Sequence, residues 1–196
     1  MAFRFILLSA LCALAAANVS MGSRPRVTRA SYTDCSGAAL KLNHLDVNPN
    51  EIPVGNGKPF TVTFDADVLQ DVVAPVKMSV KLQQKWFGAF ITIPCVANVG
   101  TCNYDDACAL LDTVPVCPPE LTSNGITCKC PIKAGHYTMN QQAFQLPQLD
   151  FPFNVLANGE FKAEVRLSDQ AGTPLACLDV QFEMGGCEGW LCNLGR

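Results

Sequence analysis

The chain has 196 residues, 11 of them cysteine, and sets 14 Lys and Arg against 17 Asp and Glu for a formal charge of −3. That is one ordinary domain's worth of chain, long enough to bury a core without covalent help. A mildly acidic total argues against the basic face that nucleic acid requires and against a polybasic clamp on anionic lipid headgroups.

Residues 1–17 carry a lone Arg4, an apolar run from Phe5 to Leu14, and then Ala15-Ala16-Ala17. This is the order of a secretory signal peptide, with cleavage expected near Ala17. The run is too short to cross a bilayer, and no later segment reaches about 18 uninterrupted apolar residues. Cleavage removes Arg4 and Cys12, which leaves thirteen cations against 17 carboxylates (−4) and ten cysteines. An even number of cysteines in an oxidising compartment predicts five disulfides. A zinc site would rest on Cys128-Lys129-Cys130, but a C-x-C spacing with no nearby histidine completes no familiar ligand set. No metal or cofactor is expected. Residues 18–34 read as a polar, loop-like lead-in to Cys35. The one glycosylation sequon, Asn18-Val19-Ser20, falls at the expected new terminus, a poor position for a glycan.

From Leu40 onward the hydrophobic period is two. Phe60, Val62, Phe64, Ala66 and Val68 alternate with polar residues, and so do Val76, Met78, Val80 and Leu82. The same holds for Phe161, Ala163, Val165 and Leu167, and for Leu178, Val180, Phe182 and Met184. These are four half-buried strands. Leu40-Leu42 and Leu45-Val47 make a fifth, whose phase slips by one residue around Asn43-His44, as a bulge requires. His136-Tyr137-Thr138-Met139 begins a further strand. Turn signals at Pro53 to Gly57, Asn158-Gly159 and Asp169 to Gly172 separate the runs. The pattern predicts an all-β fold, an antiparallel sandwich or open barrel.

Six cysteines (95, 102, 108, 117, 128 and 130) crowd the 36 residues after Pro94. Within them Asp105 or Asp106 is placed to cap one short helix over Ala107 to Leu111, which Pro115, Pro118 and Pro119 terminate. The rest of that segment reads as irregular loop held by bridges.

Apolar residues also stand where connections are expected: Trp86-Phe87-Gly88-Ala89-Phe90, Val114-Pro115-Val116, and Phe151-Pro152-Phe153 with Val155-Leu156. Large apolar residues in loops mark a binding or membrane-contact surface, and Trp favours the bilayer interface. The same loops can instead fold back and cap one end of the barrel. Alternation likewise leaves open whether the apolar faces pack a core or line a cavity. No nucleophile elbow, zinc-protease helix, P-loop or dinucleotide fingerprint is present. His44 and His136, the two histidines, stand beside no nucleophile and read as ordinary surface residues, and Asp105-Asp106 reads as a capping pair. Nothing in the chain points to covalent catalysis.

The residues after Trp86 carry a resemblance. Phe90-Ile91-Thr92-Ile93-Pro94-Cys95, Gly100-Thr101-Cys102, Cys108-Ala109-Leu110-Leu111-Asp112, Cys117-Pro118-Pro119-Glu120-Leu121, Gly125-Ile126-Thr127-Cys128-Lys129-Cys130-Pro131 and Gly135-His136-Tyr137 closely resemble the lysosomal ganglioside-activator family of the lipid-recognition domain superfamily. The similarity runs from about Cys35 to Met184. It implies an antiparallel β-cup around an apolar lipid pocket. It also implies a non-enzymatic role, lifting glycosphingolipid from a membrane and presenting it to a soluble glycosidase, β-hexosaminidase A. Carried onto this chain, the family's disulfides are Cys35–Cys177, Cys95–Cys102, Cys108–Cys130 and Cys117–Cys128. Cys187 and Cys192 have no family counterpart, and pair locally or between chains. The family's membrane loop falls on Trp86 to Phe90, with its Trp aligned to Phe90, so this chain's Trp stands four residues earlier.

The expectations are therefore a signal peptide (1–17), a lead-in (18–34), a lipid-binding β-cup (35–184) and a Gly-rich tail (185–196). Trp86, Phe87, Phe90, Ile91, Phe151 and Phe153 are the expected membrane contacts. Phe60, Val62, Phe64, Met78, Val80, Phe161, Val165, Leu178 and Val180 are the expected pocket lining. The ligand is a glycosphingolipid or a phospholipid, and the setting is the secretory pathway, lysosome or exterior. A lipid-sensing or carrier protein of the same superfamily, with no hydrolase partner, is the alternative.

Overall fold

A computed structural model describes residues 30–35, 37–54, 57–146 and 158–185. The expected signal peptide, Asn18, Phe151, Phe153, Cys187 and Cys192 lie outside the described residues.

The fold is two mostly antiparallel sheets. Its elements are β1 (Ser31–Asp34), β2 (Leu40–Asn48), β3 (Glu51–Pro53), β4 (Phe60–Val68), β5 (Lys77–Trp86), β6 (Ala89–Thr92), β7 (Cys102–Tyr104), α1 (Ala107–Asp112), α2 (Pro119–Thr122), β8 (Gly135–Phe144), β9 (Gly159–Ser168) and β10 (Pro174–Gly185). The larger sheet runs β1-β10-β9-β5-β6, with β3 joining β10 and β7 joining β5; the smaller runs β2-β4-β8. All five alternating runs are strands. The phase slip in β2 is a register shift between Leu42 and His44 against β4. A second shift, between Val62 and Phe64 of β4, sets Gln141 of β8 at φ 45° and lets its N–H donate to Thr63 Oγ1 at 3.0 Å.

Three expectations need correction. Ser31–Asp34 is not lead-in but a strand antiparallel to β10, with Tyr32 opposite Val180. It has four residues and draws its hydrogen bonds from β10, so its own sequence carries no period. Among the described residues there are two short helices, not one. Pro119, read as a terminator, begins α2 instead, at the position where a missing N–H costs nothing. The greasy segment after β5 is a tight hairpin into β6: Phe87 and Gly88 both have positive φ, 48° and 91°, as a type I′ turn requires. The helix over Ala107 is as read, with Asp106 Oδ1 accepting from Cys108 N at 2.9 Å and from Val76 N at 3.1 Å.

Among the described residues four disulfides close: Cys35–Cys177, Cys95–Cys102, Cys108–Cys130 and Cys117–Cys128. This is the pairing that the resemblance implies.

The main buried apolar cluster lies at one end of the sandwich. Ala39, Val68, Val72, Val76, Cys108 and Leu175 are buried together there, with Leu40, Ala107, Cys130, Ile132, Tyr137 and Leu167 packed around them. Ala39, Val68, Val72, Val76 and Leu175 come from the start or finish of a strand or from an adjoining loop, and Cys108 from the first turn of α1. Backbone bonds cross between the sheets at the same level, from Ala39 N to Leu175 O at 2.9 Å and from Ala38 N to Pro174 O at 3.2 Å.

On the wet face of the smaller sheet, His136 of β8 sits between two carboxylates of β4. Its Nδ1 lies 2.8 Å from Asp67 Oδ1 and its Nε2 3.5 Å from Asp65 Oδ2. Asn43 of β2 donates to both, to Asp65 Oδ1 at 2.9 Å and Asp67 Oδ2 at 2.7 Å, and Lys41 stands opposite Asp67. A neutral imidazole can donate from only one nitrogen, so the pair favours the cation. Hydrogen bonding to Asp67, then the Asp65 charge, raises the His136 pKa; the bonds from Asn43 and His136 hold Asp67 below the usual carboxylate range. The His136 contribution is therefore full below the ordinary value near 6.5 and fades as pH rises through the raised one. The Asp67 contribution is present above about 3.9 and is lost on further acidification. The cluster binds its three strands most firmly between about pH 4 and 6.5. His136→Asn should therefore lower the urea midpoint more at pH 5.5 than at pH 8; an equal loss at both would show that the ring is not acting through its charge.

Candidate functional site

The strand registers place the apolar residues in rows across each sheet. In the larger sheet Leu178, Val165 and Val80 align, as do Val180, Ala163 and Leu82, and Phe182, Phe161 and Gln84. In the smaller sheet Leu45, Phe64 and Met139 align, Val47 and Val62 pair, and Phe60 stands opposite Phe144. Each row is the apolar phase of alternating strands, so each sheet turns one such face toward the other.

Burial separates a sealed core from an open cup. Of the nine predicted lining residues only Phe161 is buried, at 3% exposure; Phe60, Val62, Phe64, Met78, Val80, Val165, Leu178 and Val180 are each half-buried. A closed interior would bury them as it buries Val68 and Val76 at the packed end. Away from that end the rings find partners within their own sheet. Phe60 and Phe144 have centroids 6.0 Å apart, and Phe161 stacks on Phe182 at 5.6 Å.

One flank is tied along β10. Strand β3 lies parallel to it through Glu183 to Gly185, and Val54 N bonds Gly185 O at 2.6 Å. On the opposite flank the disulfide-held segment 105–130 leaves the packed end through Cys108–Cys130 and reaches β8, where Asn124 Nδ2 lies 3.4 Å from Gln142 Oε1. Gln142 is opposite Val62, so this contact is on the apolar-facing side. Val116, from one of the predicted apolar loops, is 76% exposed.

The β5–β6 hairpin stands at the far end from the packed cluster. Trp86 is half-buried opposite Ala89, Phe87 is 83% exposed at the turn, and Ile91 is exposed opposite Gln84. Trp86, Ala89 and Ile91 therefore share the face of Gln84, while Phe90, opposite Lys85, turns to the other face. There the Lys85 and Lys162 ammoniums lie 5.7 and 5.6 Å from its ring centroid. The hairpin thus gathers three of the expected contacts and sets Phe90 apart.

Sequence reasoning missed Gln84. It occupies an apolar phase of β5, is 2% exposed, and donates from Nε2 to Asn158 O at 2.9 Å. A polar residue breaking an otherwise apolar alternation was the available signal. The bond fixes the base of the hairpin to the residue that precedes β9. Among the described residues one group, Cys35, Cys177 and Asp179, brings three metal-ligand atom types together; both sulfurs are engaged in a disulfide, so it offers a single carboxylate.

Truncation distinguishes the two ends. Leu175→Ala, in the packed cluster, should cost about 2–5 kcal/mol. Phe64→Ala removes a larger side chain yet should cost less, because the protein covers that ring only in part while Leu175 is buried. Urea unfolding of both variants checks this, and a greater loss for Phe64 would mean that the sheets close on it as core.

A sequence model described as the ML domain matches residues 29–184. The chain is 30% identical over 149 residues to the ganglioside GM2 activator of Macaca fascicularis, covering 74% of this chain and 76% of that one. To the ganglioside GM2 activator of Mus musculus it is 28% identical over 149 residues, covering 74% and 75%. Among solved structures, a Niemann-Pick type C2 protein from Japanese carpenter ant aligns with TM-score 0.39 at 13% identity, over 79% of this chain and 99% of that one. Chicken MD-1 complexed with lipid IVa aligns with TM-score 0.33 at 14% identity, over 79% and 88%.

Proposed function

The chain belongs to the ML domain family, and from that premise we propose that it binds the acyl chains of a membrane lipid between its two sheets and transfers that lipid through water. The observation that supports this most is the set of eight half-buried apolar residues facing between the sheets. Such surface is costly to leave wet, and a lipid's chains are of the chemistry that would cover it. Each CH₂ withdrawn from water contributes about 0.8 kcal/mol, so two acyl chains can offset extraction from a bilayer.

The cargo we propose is a glycosphingolipid, with the sugar left outside the cup and presented to a β-hexosaminidase-like glycosidase. The supporting likeness is to relatives named as ganglioside GM2 activators. The protein on this reading is an activator without chemistry of its own, acting in the lysosome or after secretion. Trp86, Phe87 and Ile91 enter the membrane interface at the lip. Phe90, flanked by Lys85 and Lys162, lies at headgroup level, where the Lys162 ammonium meets lipid phosphate or sialate while Lys85 is paired with Glu160 at 2.8 Å. Phe151 and Phe153 are proposed as membrane contacts from the sequence alone. Phe60, Val62, Phe64, Met78, Val80, Phe161, Val165, Leu178 and Val180 line the acyl site.

The experiment is extraction of fluorescent ganglioside from phosphatidylcholine liposomes at pH 5 and pH 7, followed by addition of a β-hexosaminidase. Transfer well above a heat-denatured control, with faster hydrolysis of membrane-bound ganglioside, is expected. Absence of transfer at both pH values would sink the reading. Transfer without stimulated hydrolysis would identify a lipid carrier instead. Trp86→Ala should weaken liposome binding about tenfold while changing stability little; an equal loss of both would mean that the ring serves the fold.

A further inference from the structure

From Trp86 through Tyr104 the chain runs 19 residues without an Asp, Glu, Lys, Arg or His, between Lys85 and Asp105. The β5–β6 hairpin uses only the first part of that run. The remainder makes a second, smaller hairpin. Val96 and Val99 exchange backbone bonds at 2.8 and 2.9 Å around Ala97 and Asn98, whose φ values of 50° and 62° are those of another type I′ turn.

This second hairpin is held firmly. Cys95–Cys102 closes its base, and Tyr104 OH donates to Asn98 O at 2.9 Å. Gly100 has φ 111°, and a Cβ there would meet Pro94 O at 2.2 Å. The base is seated on β5 at Leu82: Ile93 N donates to Leu82 O at 2.9 Å, and Leu82 N to Thr101 Oγ1 at 3.1 Å. Despite this bracing the apolar side chains point away from the protein. Val96 is 57% exposed and Val99 54%, against 83% for Phe87 and 55% for Ile91. Bracing exposed valines does nothing to bury them, so the hairpin contributes little hydrophobic stability to its own fold.

We infer that the Val96–Val99 hairpin is a second membrane foot, and that the protein rests on the bilayer along the β6 edge rather than on the Phe87 tip alone. The inference rests on the membrane contact proposed above for that tip. Both hairpins hang from β5, five residues apart at Leu82 and Phe87, or roughly 17 Å along an extended strand. Ile91 lies on the edge between them, and no charge interrupts the run. The run itself brings no ion to desolvate, the nearby Lys85 and Lys162 ammoniums standing on the Phe90 face at headgroup level, and Tyr104 has the amphipathic ring that favours that depth. Two feet also fix the tilt of the cup, which a single tip leaves free to swivel.

The test compares partition of three variants onto phosphatidylcholine vesicles by flotation. Val96→Ser/Val99→Ser should lose about five- to tenfold in partition, as removal of one to two apolar contacts predicts. Val96→Leu/Val99→Leu, which enlarges the patch, should gain. Phe87→Ser reports on the tip. Thermal midpoints within a few degrees of the parent show that the fold is intact, and if the Ser pair fails to fold, the Leu pair alone decides by gain or no gain. Unchanged partition in both valine pairs with a loss at Phe87 overturns the second foot and leaves the tip standing. No change in any variant removes both. Loss in the Ser pair with none at Phe87 overturns the two-footed stance and the proposed tip contact together, leaving the Val96–Val99 hairpin as a single contact.

Discussion

Everything distinctive in this fold depends on packing that is densest at one end of a sandwich and looser toward the other. Ala39 and Val68 from the smaller sheet meet Val76 and Leu175 from the larger, and the backbone bonds from Ala38 and Ala39 to β10 join the sheets at the same level. Only a short stretch of each strand takes part. Beyond it the apolar faces continue for several residues, with Val47, Met139 and Phe161 buried but Phe60, Val62, Phe64, Val80, Val165, Leu178 and Val180 only partly covered. A sandwich of average core would have spread its Val, Leu and Phe along the full length; here the fold is anchored by its floor, and the upper strands are free to stand apart. Half-buried apolar rows follow as a consequence of where the packed cluster ends.

The disulfides divide their work around that floor. Cys108 is itself a member of the packed cluster, so its bridge to Cys130 carries both ends of the irregular segment 109–129 onto the most stable part of the molecule. Cys117–Cys128 then narrows the segment within itself. A stretch with three prolines, the end of α1 and the four residues of α2 has no means of building a core of its own, and cross-links supply the constraint that packing does not. Cys35–Cys177 acts elsewhere, fixing β1 beside β10 across a sequence separation of 142 residues. It turns four residues with no hydrophobic period into a dependable edge.

How much could be read beforehand follows from how local each signal is. The alternation in β4, β5, β9 and β10, the phase slip at Asn43-His44 and a cap at Asp105 or Asp106 are each written within a few consecutive residues, and all were legible. The strands β1, β3, β6 and β7 were not, because three or four residues take their hydrogen bonds from a neighbour and carry no period of their own. The fourfold disulfide pairing came from likeness to a family, since spacing alone leaves many pairings open. The carboxylate–His136 cluster draws on β2, β4 and β8, whose members lie 22 to 69 residues or more apart, and no local pattern announces it. Core and cavity were indistinguishable in principle: both demand one apolar face per strand, and only the burial of Phe64 or Val165 separates them.

The hairpin tip carries the last step. A type I′ turn is least costly with Asn and Gly at its two central positions, because both must take positive φ. This chain places Phe87 first, at φ 48°, where an ordinary side chain gives up roughly 1–2 kcal/mol. Its ring then recovers almost none of that loss by packing, being 83% exposed. The residue therefore works against the fold twice, through its backbone and through its wet surface. Such a position is intelligible when the energy returns from something outside the chain, as the membrane contact proposed for the tip would return it. Gln84 supports the same reading from below. By bonding Asn158 O in a fully buried site it holds the hairpin's base rigid, so that whatever the tip touches is met by a fixed edge rather than by a loose loop.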